Sequence, residues 1–110
     1  MSVAATRLDR TLEALADPER RRAVEILRQG PRRAGELAAE LGLPPPAMSR
    51  HLRRLRLGGL VEESHPPFDA RIRVYALRPE PVAELKAWLD ATERAWAEQL
   101  TALKAHLEAG

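Results

Sequence analysis

A short break at Gly42 and three consecutive prolines (44–46) separates two amphipathic segments in the middle of the chain. Apolar residues lie at helical spacing on both sides of it: Leu37, Ala38 and Leu41 before, and Met48, Leu52 and Leu55 after. Glycine tolerates the positive φ that ends a helix, and proline fits only a loop or the first turn of a helix. The spacing therefore predicts two helices over residues 34–58 that cross steeply around a tight turn, as in a helix-turn-helix.

Two further helices are predicted before this pair. The first covers residues 7–16 and has an apolar stripe formed by Leu8, Leu12 and Leu15. The second begins with an N-cap aspartate, a first-turn proline and a first-turn acid, which are Asp17, Pro18 and Glu19. It ends at Gly30, and its expected buried residues are Ala23, Ile26 and Leu27, with Val24 beside them.

A β-hairpin and one long helix are predicted after the pair. Residues 60–63 and 72–77 are the expected strands, and the loop 65–70 between them contains two prolines, so the hairpin covers residues 60–77. Residues 79–108 predict a helix whose apolar seam advances in steps of three and four, as in a coiled coil. The seam consists of Val82, Leu85, Leu89, Thr92, Trp96, Leu100, Leu103 and Leu107. So small a chain cannot cover this helix by itself, and we expect a second copy to pack against it.

Composition limits both the fold class and the function class. Aromatic residues make up 4% of the 110 residues, so we expect one core of Leu, Ala, Val and Ile, which favours a mainly α fold. Cysteine is absent, which excludes disulfides and thiolate metal sites. No segment has the pattern of a signal peptide or a membrane span, so we expect a cytoplasmic protein without a membrane partner.

Positive charge is concentrated ahead of the last helix. Residues 1–78 contain fifteen arginines and ten acids, whereas residues 79–110 contain three basic and six acidic residues. The second helix of the central pair carries four arginines and no acid. At about 100° per residue, its Ser49, Arg50 and Arg53 project away from the buried stripe. On this outer face an arginine can donate two hydrogen bonds to the edge of a guanine. An isolated basic helix is more often a solvated face, but the turn and the hairpin favour recognition of double-stranded DNA.

The candidate DNA-binding residues form two groups. On the helix they are Pro46, Ala47, Ser49, Arg50, His51, Arg53 and Arg54, and in the hairpin they are Arg71 and Arg73. We expect the helix to reach base edges in the major groove, and the hairpin to contact phosphate or the adjacent minor groove. His51 borders the buried stripe, so a packed or phosphate-bonded imidazole is favoured over a metal ligand.

Three segments resemble the ArsR family of bacterial winged-helix repressors: LEALADPERRRAVEIL, ELAAELGLPPPAMSRHLRRLRLGGLVEE and RIRVYAL, which extend from Leu12 to Leu77. The resemblance implies a single winged helix-turn-helix domain over residues 1–110, mainly α with a β wing and a long C-terminal dimerisation helix. It also implies a homodimeric repressor of a palindromic operator. The implied dimer interface comprises Leu8, Leu12, Leu15, Leu85, Leu89, Thr92, Trp96, Leu100 and Leu103. The last helix, with its WL…W…L…L pattern, resembles the metal-independent members, which implies no cofactor.

Two departures from the family pattern affect recognition. Pro44 and Pro45 stand where the family usually has a Ser or Thr cap and a polar residue, so a cap and one usual DNA contact are lost. The tip of the hairpin also differs, because it lacks the frequent Gly-Arg pair and carries instead Pro66, Pro67, Phe68 and Asp69.

A ligand- or metal-responsive derepressor is the main alternative within the family. The thiolate pair of the third helix is missing, and a site on the last helix would need more than the single His106 found there. Trp96 is better explained by interface packing than by a ligand pocket. Trp88, which flanks the seam, suits packing and a small-molecule pocket equally well, so the sequence leaves any effector unidentified.

Other function classes have weaker support. Ser49, Thr92 and three scattered histidines have no catalytic spacing, so we do not expect an enzyme. A protein-interaction module that acts through the long helix stays an alternative, and only the regulator requires selective binding to duplex DNA. The remaining polar candidates are expected to face solvent: His65 in the hairpin loop, His106, and Glu62 and Glu63 at a strand edge.

Overall fold

The computed structural model describes residues 3–109, with side chains from residue 6 onward. Within this range the chain forms five helices and three strands in the order α1 (Val3–Ala14), α2 (Pro18–Leu27), β1 (Arg32–Arg33), α3 (Ala34–Leu41), α4 (Pro45–Leu57), β2 (Val61–Ser64), β3 (Val74–Leu77) and α5 (Pro79–Ala109). The predicted helix-turn-helix, hairpin and long last helix are all present. The fold is therefore a winged helix-turn-helix, mainly α with a small β wing, and this prediction is confirmed.

The three strands form one antiparallel sheet in the order β1, β3, β2. β2 pairs with β3 from Val61 opposite Leu77 to Ser64 opposite Val74. β1 pairs with the other edge of β3, where Arg33 lies opposite Val74. The sequence did not predict β1, because two consecutive arginines show no alternation of apolar and polar residues.

Both hairpin strands begin later than predicted. Leu60 does not join β2, because its N–H donates to the Leu55 carbonyl at 3.0 Å and its side chain is fully buried in the core. Ile72 does not join β3, because its N–H donates to the Asp69 carbonyl at 3.3 Å within the loop. The loop therefore covers residues 65–73, which is longer than the predicted 65–70.

α1 ends two residues before the predicted position. The Arg20 Nε donates to the Ala14 carbonyl at 2.6 Å, and the Arg21 Nη1 donates to the Leu15 carbonyl at 2.7 Å. The last carbonyls of a helix have no partner within it, so these two guanidinium groups satisfy acceptors that would otherwise need water. The end of α1 is therefore set by side chains of α2.

Asp17 caps the N-terminus of α2, as predicted. Its Oδ1 accepts the backbone N–H groups of Glu19 at 2.8 Å and Arg20 at 3.2 Å, and Pro18 opens the helix. Partial desolvation raises the pKa of Asp17, but these two hydrogen bonds and the charges of His51 and Arg20 outweigh it, so the pKa lies below its ordinary value. Folding therefore favours the ionised carboxylate.

We expect Asp17→Asn to lower the melting temperature at pH 7, because asparagine keeps a capping oxygen but loses the charge that suits the positive end of the helix dipole. A carboxyl group whose pKa falls on folding stabilises the protein above its unfolded pKa, and this contribution is lost as the pH falls through the folded pKa. Melting curves from pH 7 down to about pH 2 should show the difference between the two proteins disappear. A difference that persists in acid would mean that the charge of Asp17 is not responsible.

The core is aliphatic apart from one tyrosine, and its buried apolar side chains are Ala14, Ala23, Leu27, Leu37, Ala38, Leu41, Met48, Leu52, Leu55, Leu60, Val61 and Tyr75. α1 faces the core with Thr11 and Ala14, whereas Leu12 of the predicted leucine stripe stays 43% exposed. A Cβ on Gly58 would lie 3.1 Å from the Ala14 Cβ, so only small side chains fit where α1 meets the end of α4. Ile26 was also expected to be buried, but it packs against the edge of the core and is half-buried.

The turn between α3 and α4 follows the prediction. Gly42 ends α3 with a φ of 67°, in the left-handed region that glycine adopts without strain. Pro44 is the N-cap residue of α4 and provides no side-chain hydrogen bond, so the predicted loss of a cap is confirmed. The inner faces of both helices are buried in one core, which leaves the outer face of α4 exposed.

α5 is 31 residues long, which corresponds to about 47 Å, and the longest dimension of the structure is 71 Å. It contacts α1, where Arg7 and Glu84 form an ion pair. None of its residues is buried, and its exposed large apolar side chains are Val82, Trp88, Leu89, Trp96, Leu100, Leu103 and Leu107. Across residues 3–109, no helix has both the length and the apolar character needed to cross a membrane.

Candidate nucleic-acid interface

A groove of about 450 Å³ lies between α4 and the wing. Its lining residues are Ser49, Leu52, Arg53, Arg56, Leu57, Glu63, Arg73 and Tyr75. Three of them are arginines and one is an acid, so the groove carries net positive charge. The groove thus brings Ser49 and Arg53 of α4 together with Arg73 at the base of the wing, and the sequence placed these residues in two separate groups.

Glu63 ties the wing to α4. Its Oε2 accepts a hydrogen bond from the Arg56 Nη1 at 2.5 Å and another from the Tyr75 hydroxyl at 3.2 Å, and its Oε1 lies 3.3 Å from the His65 Nε2. The Glu63 side chain is only 15% exposed, so the prediction of a solvated strand edge is wrong for this residue. Glu62 is exposed, as predicted. Because side chains alternate along a strand, the two neighbours face opposite ways.

Tyr75 completes this network from β3. The side chain is buried, and the Arg73 Nη1 donates to its hydroxyl at 3.5 Å. Burial, together with the charge of Glu63, raises the pKa of Tyr75 above its ordinary value, so the phenol stays protonated and donates to Glu63. The Tyr75 hydroxyl, Arg56 and His65 thus surround one carboxylate, and Arg56 is largely neutralised by it.

Arg50 and Arg53 differ from the other arginines of α4. Both are exposed, and no acidic group in the part of the chain that the structure describes pairs with either of them. Ser49 and Ala47 are half-buried and Pro46 is exposed at the start of the helix. The outer face of α4 therefore presents two free guanidinium groups beside a hydroxyl.

His51 and Arg54 lie on the flank of α4 that meets α2 and α1. The His51 Nε2 lies 2.8 Å from the Glu19 Oε2, and its side chain is 16% exposed. The Arg54 Nη1 donates to the Glu13 Oε1 at 3.3 Å. Acidic partners engage both side chains in the free protein, so a contact with DNA would compete with these pairs, and both residues stay predicted DNA contacts.

Asp17 joins His51 and Glu19 in a cluster whose ligand atoms all lie within 4.8 Å of one another. An imidazole and two carboxylates are donors that could hold a divalent cation. The cluster was not anticipated, because its members come from helices far apart in sequence. All three side chains are already hydrogen-bonded, which gives the cluster a structural role as the joint between α2 and α4.

The loop of the wing holds Arg71 against Asp69. The guanidinium donates to both carboxylate oxygens of Asp69, at 3.2 and 3.3 Å, and the Arg71 backbone N–H donates to one of them at 2.9 Å. The side-chain hydrogen bond from Arg71, with that from its backbone, lowers the pKa of Asp69. His65 is exposed, as predicted, and its Nδ1 lies 2.9 Å from the Ile72 carbonyl, so it also braces the same loop. Of the two wing arginines, Arg73 is the one that borders the groove.

The candidate interface residues on α1 and α5 share one property, which is incomplete burial in the single chain. Leu8, Leu15 and Leu85 are half-buried, and the more exposed members are Leu12, Leu89, Thr92, Trp96, Leu100 and Leu103. Trp96 is 63% exposed and Trp88 is 46% exposed. His106 is exposed, as predicted.

Comparisons with known proteins agree with this geometry. A sequence model described as bacterial regulatory protein, arsR family, matches residues 17–63, which include α2, α3 and α4. The HTH-type transcriptional regulator Rv2034 of Mycobacterium tuberculosis is 44% identical over 93 residues, which cover 84% of this chain and 81% of that protein.

Two solved structures extend the likeness to the whole fold. An ArsR-like transcriptional regulator from Rhodococcus sp. RHA1 is 26% identical, with a TM-score of 0.78 over 91% of this chain and 92% of the other. The homodimeric winged helix-turn-helix domain of Mb0332 from Mycobacterium bovis is 27% identical, with a TM-score of 0.65 over 86% of this chain and 85% of the other. By sequence and by fold, this chain belongs to the ArsR family of bacterial regulatory proteins.

Proposed function

We propose that this chain is a homodimeric repressor that binds a palindromic operator without a metal cofactor. The observation that carries the proposal is the outer face of α4, where Arg50 and Arg53 have no acidic partner while Arg54 and Arg56 are paired within the protein. A structural salt-bridge surface would engage all four arginines. Two that stay free, on the exposed face of the second helix of a helix-turn-helix, suit a ligand with guanine edges.

The groove divides the contacts with DNA by chemistry. Arg50 and Arg53, with Ser49, would reach base edges in the major groove, because a guanidinium can donate to guanine O6 and N7 together. Arg73 would contact a phosphate, since it stands at the base of the wing on the far side of the groove. Arg71 contributes less charge than the sequence suggested, because Asp69 already neutralises it.

The uncovered seam of α5 supports the homodimer. A row of apolar side chains about half exposed to water costs free energy that a second copy of the same helix would recover. Mb0332, a relative with the same fold, is described as homodimeric. Two copies related by twofold symmetry would present two α4 helices to one palindromic site.

The remaining parts of the proposal follow from this arrangement. Residues 1–110 form a single domain, in which 34–58 read the DNA, 60–77 form the wing and 79–108 dimerise. Resemblance to a family of repressors supports repression, and a regulator of this type acts in the cytoplasm, where bacterial DNA lies. We also propose that the chain is not an enzyme, because its polar side chains either form the structural contacts described above or belong to the proposed DNA surface.

Selection of genomic fragments tests the proposal directly. The protein is mixed with sheared genomic DNA at about 0.15 M salt, and the retained fragments are sequenced. We expect one inverted repeat whose half-sites lie about 10 bp apart, or a multiple of that distance. Retention of fragments without a shared sequence, or of none, would contradict the operator, and retention of a single unrepeated half-site would contradict the symmetric dimer.

Metal independence gives a prediction of its own. The Asp17 cluster offers the right donor types, but Asp17 already accepts two backbone N–H groups and the positive end of the α2 dipole opposes a cation. We therefore expect Zn²⁺ or Ni²⁺ to change operator affinity by less than about tenfold relative to chelator-treated protein. Glu19→Gln is the control, because a metal effect that this change abolishes would assign the cluster as a sensor and contradict the prediction.

A further inference from the structure

Phe68 is the most exposed large apolar residue in the described chain, with 77% of its surface accessible. It lies in the loop of the wing, between the end of β2 at Ser64 and the start of β3 at Val74. A side chain of this size is unfavourable in water, and none of the residues that the structure describes covers it. The proposed contacts of α4 and Arg73 leave this residue without a role.

The backbone at Phe68 forms a turn that hydrogen bonds within the loop restrict. The Asp69 N–H donates to the Pro66 carbonyl at 3.2 Å, which closes a turn with Pro67 and Phe68 at its centre. Proline before the ring restricts the backbone, and the hydrogen bonds from Arg71 to Asp69 brace the turn on its other side. Because these hydrogen bonds and the prolines restrict the backbone of the loop, placing the ring in a binding site costs less conformational entropy than it would from an unrestrained loop.

The position of the loop places the ring beside the proposed DNA surface. Arg73 lines the groove with Ser49 and Arg53, and it lies one residue beyond the last pair of the ladder, so the loop continues from the edge of that groove. Asp69 would repel phosphates if it were free, but Arg71 neutralises it. The tip of the wing therefore presents an aromatic ring without net negative charge beside the proposed DNA surface.

We infer that Phe68 inserts into the minor groove beside each half-site as an apolar wedge, an inference that rests on the proposed DNA-binding function. Apolar side chains at such positions part a base step and widen the groove, and the bent DNA then gains contacts with the protein. Recognition by a wedge depends on how readily a step unstacks, so it favours flexible pyrimidine–purine steps. The wing thus contributes sequence preference through DNA deformation in addition to charge.

The test uses the selected operator with 2-aminopurine at the flanking step, and compares the unmodified protein with Phe68→Ala and Phe68→Leu. Both substitutions are at a highly exposed position, so the fold is retained. We expect the unmodified protein to raise the fluorescence of the probe, because the base loses its stacking partner. Phe68→Ala should abolish the rise and weaken binding by about 5- to 30-fold. Phe68→Leu should keep most of both effects, since leucine also serves as a wedge.

The slope of log affinity against log salt separates this contact from an electrostatic one. Phe68→Ala removes no charge, so its slope should equal that of the unmodified protein. Suppose that the unmodified protein binds the operator without raising the fluorescence of the probe, and that Phe68→Ala binds with an affinity within about twofold of the unmodified protein. The proposed wedge is then wrong, while the proposed DNA-binding function is retained. If the unmodified protein selects no operator, both proposals fail together. If Phe68 instead contacts a protein partner, operator binding should occur without a fluorescence rise and should be unaffected by Phe68→Ala.

Discussion

Trp96→Asp is expected to convert the homodimer into monomers. In the proposed dimer, twofold symmetry places two such carboxylates in one apolar seam, and an unpaired carboxylate there costs several kcal/mol. The fold of each chain should survive, because Trp96 is 63% exposed in the single chain and supports no part of its core. Sedimentation equilibrium should give the mass of one chain, and the helical circular dichroism signal should stay close to that of the unmodified protein.

Ala87→Asp provides a matched control for this experiment. Ala87 is exposed and lies nine residues before Trp96 on the same helix, which is about two and a half turns, so it belongs to the opposite face. The new charge is the same, but it should leave the dimer intact. If Trp96→Asp still sediments as a stable dimer, the interface lies elsewhere. If both variants dissociate, added negative charge on α5 is responsible and the seam is not.

Arg53→Ala should relax the preference for one base pair in each half-site and weaken operator binding by about 1 to 3 kcal/mol. A guanidinium that donates to both O6 and N7 of one guanine discriminates against the other bases, because their edges leave one or both of its donors unpaired. Arg53 is exposed, lines the groove and has no acidic partner among the described residues, so its loss should not disturb the fold. Competition binding against operators with each base replaced in turn measures the change in preference.

Arg54→Ala is the matched control, because it removes the same side chain from the next position of the same helix. Arg54 pairs with Glu13 on the side of α4 that faces α1, so its removal should leave the base preference unchanged. The pair is exposed to solvent, and such pairs contribute only about 0 to 1 kcal/mol to stability. If the two variants change the base preference to the same extent, the recognition face of α4 has been assigned wrongly. If neither does, Arg53 does not read a base.

Local signals were sufficient to predict the five helices and the β-hairpin of this fold, but not the short strand β1. The start of α2 is encoded by Asp17 and Pro18, and the end of α3 by Gly42, because caps and turns depend on residues within one helical turn. The inner face of α4 follows from the period of 3.6 residues, and the length of α5 from its unbroken seam. Each of these features depends on interactions between neighbours in the sequence, so the sequence alone determined them.

Only the tertiary structure decided which polar side chains have a partner within the protein. Arg53 and Arg54 are adjacent and chemically identical, yet Arg54 meets Glu13, which lies 41 residues away in the sequence, and His51 meets Glu19 across 32 residues. The pairing of Glu63 with Arg56 and Tyr75, and the short strand β1, likewise depend on elements brought together by folding. The helical period predicts the direction in which a side chain points, but it does not predict which charged group that side chain meets. An ion pair depends on the distance between two groups in space and not on their separation along the chain.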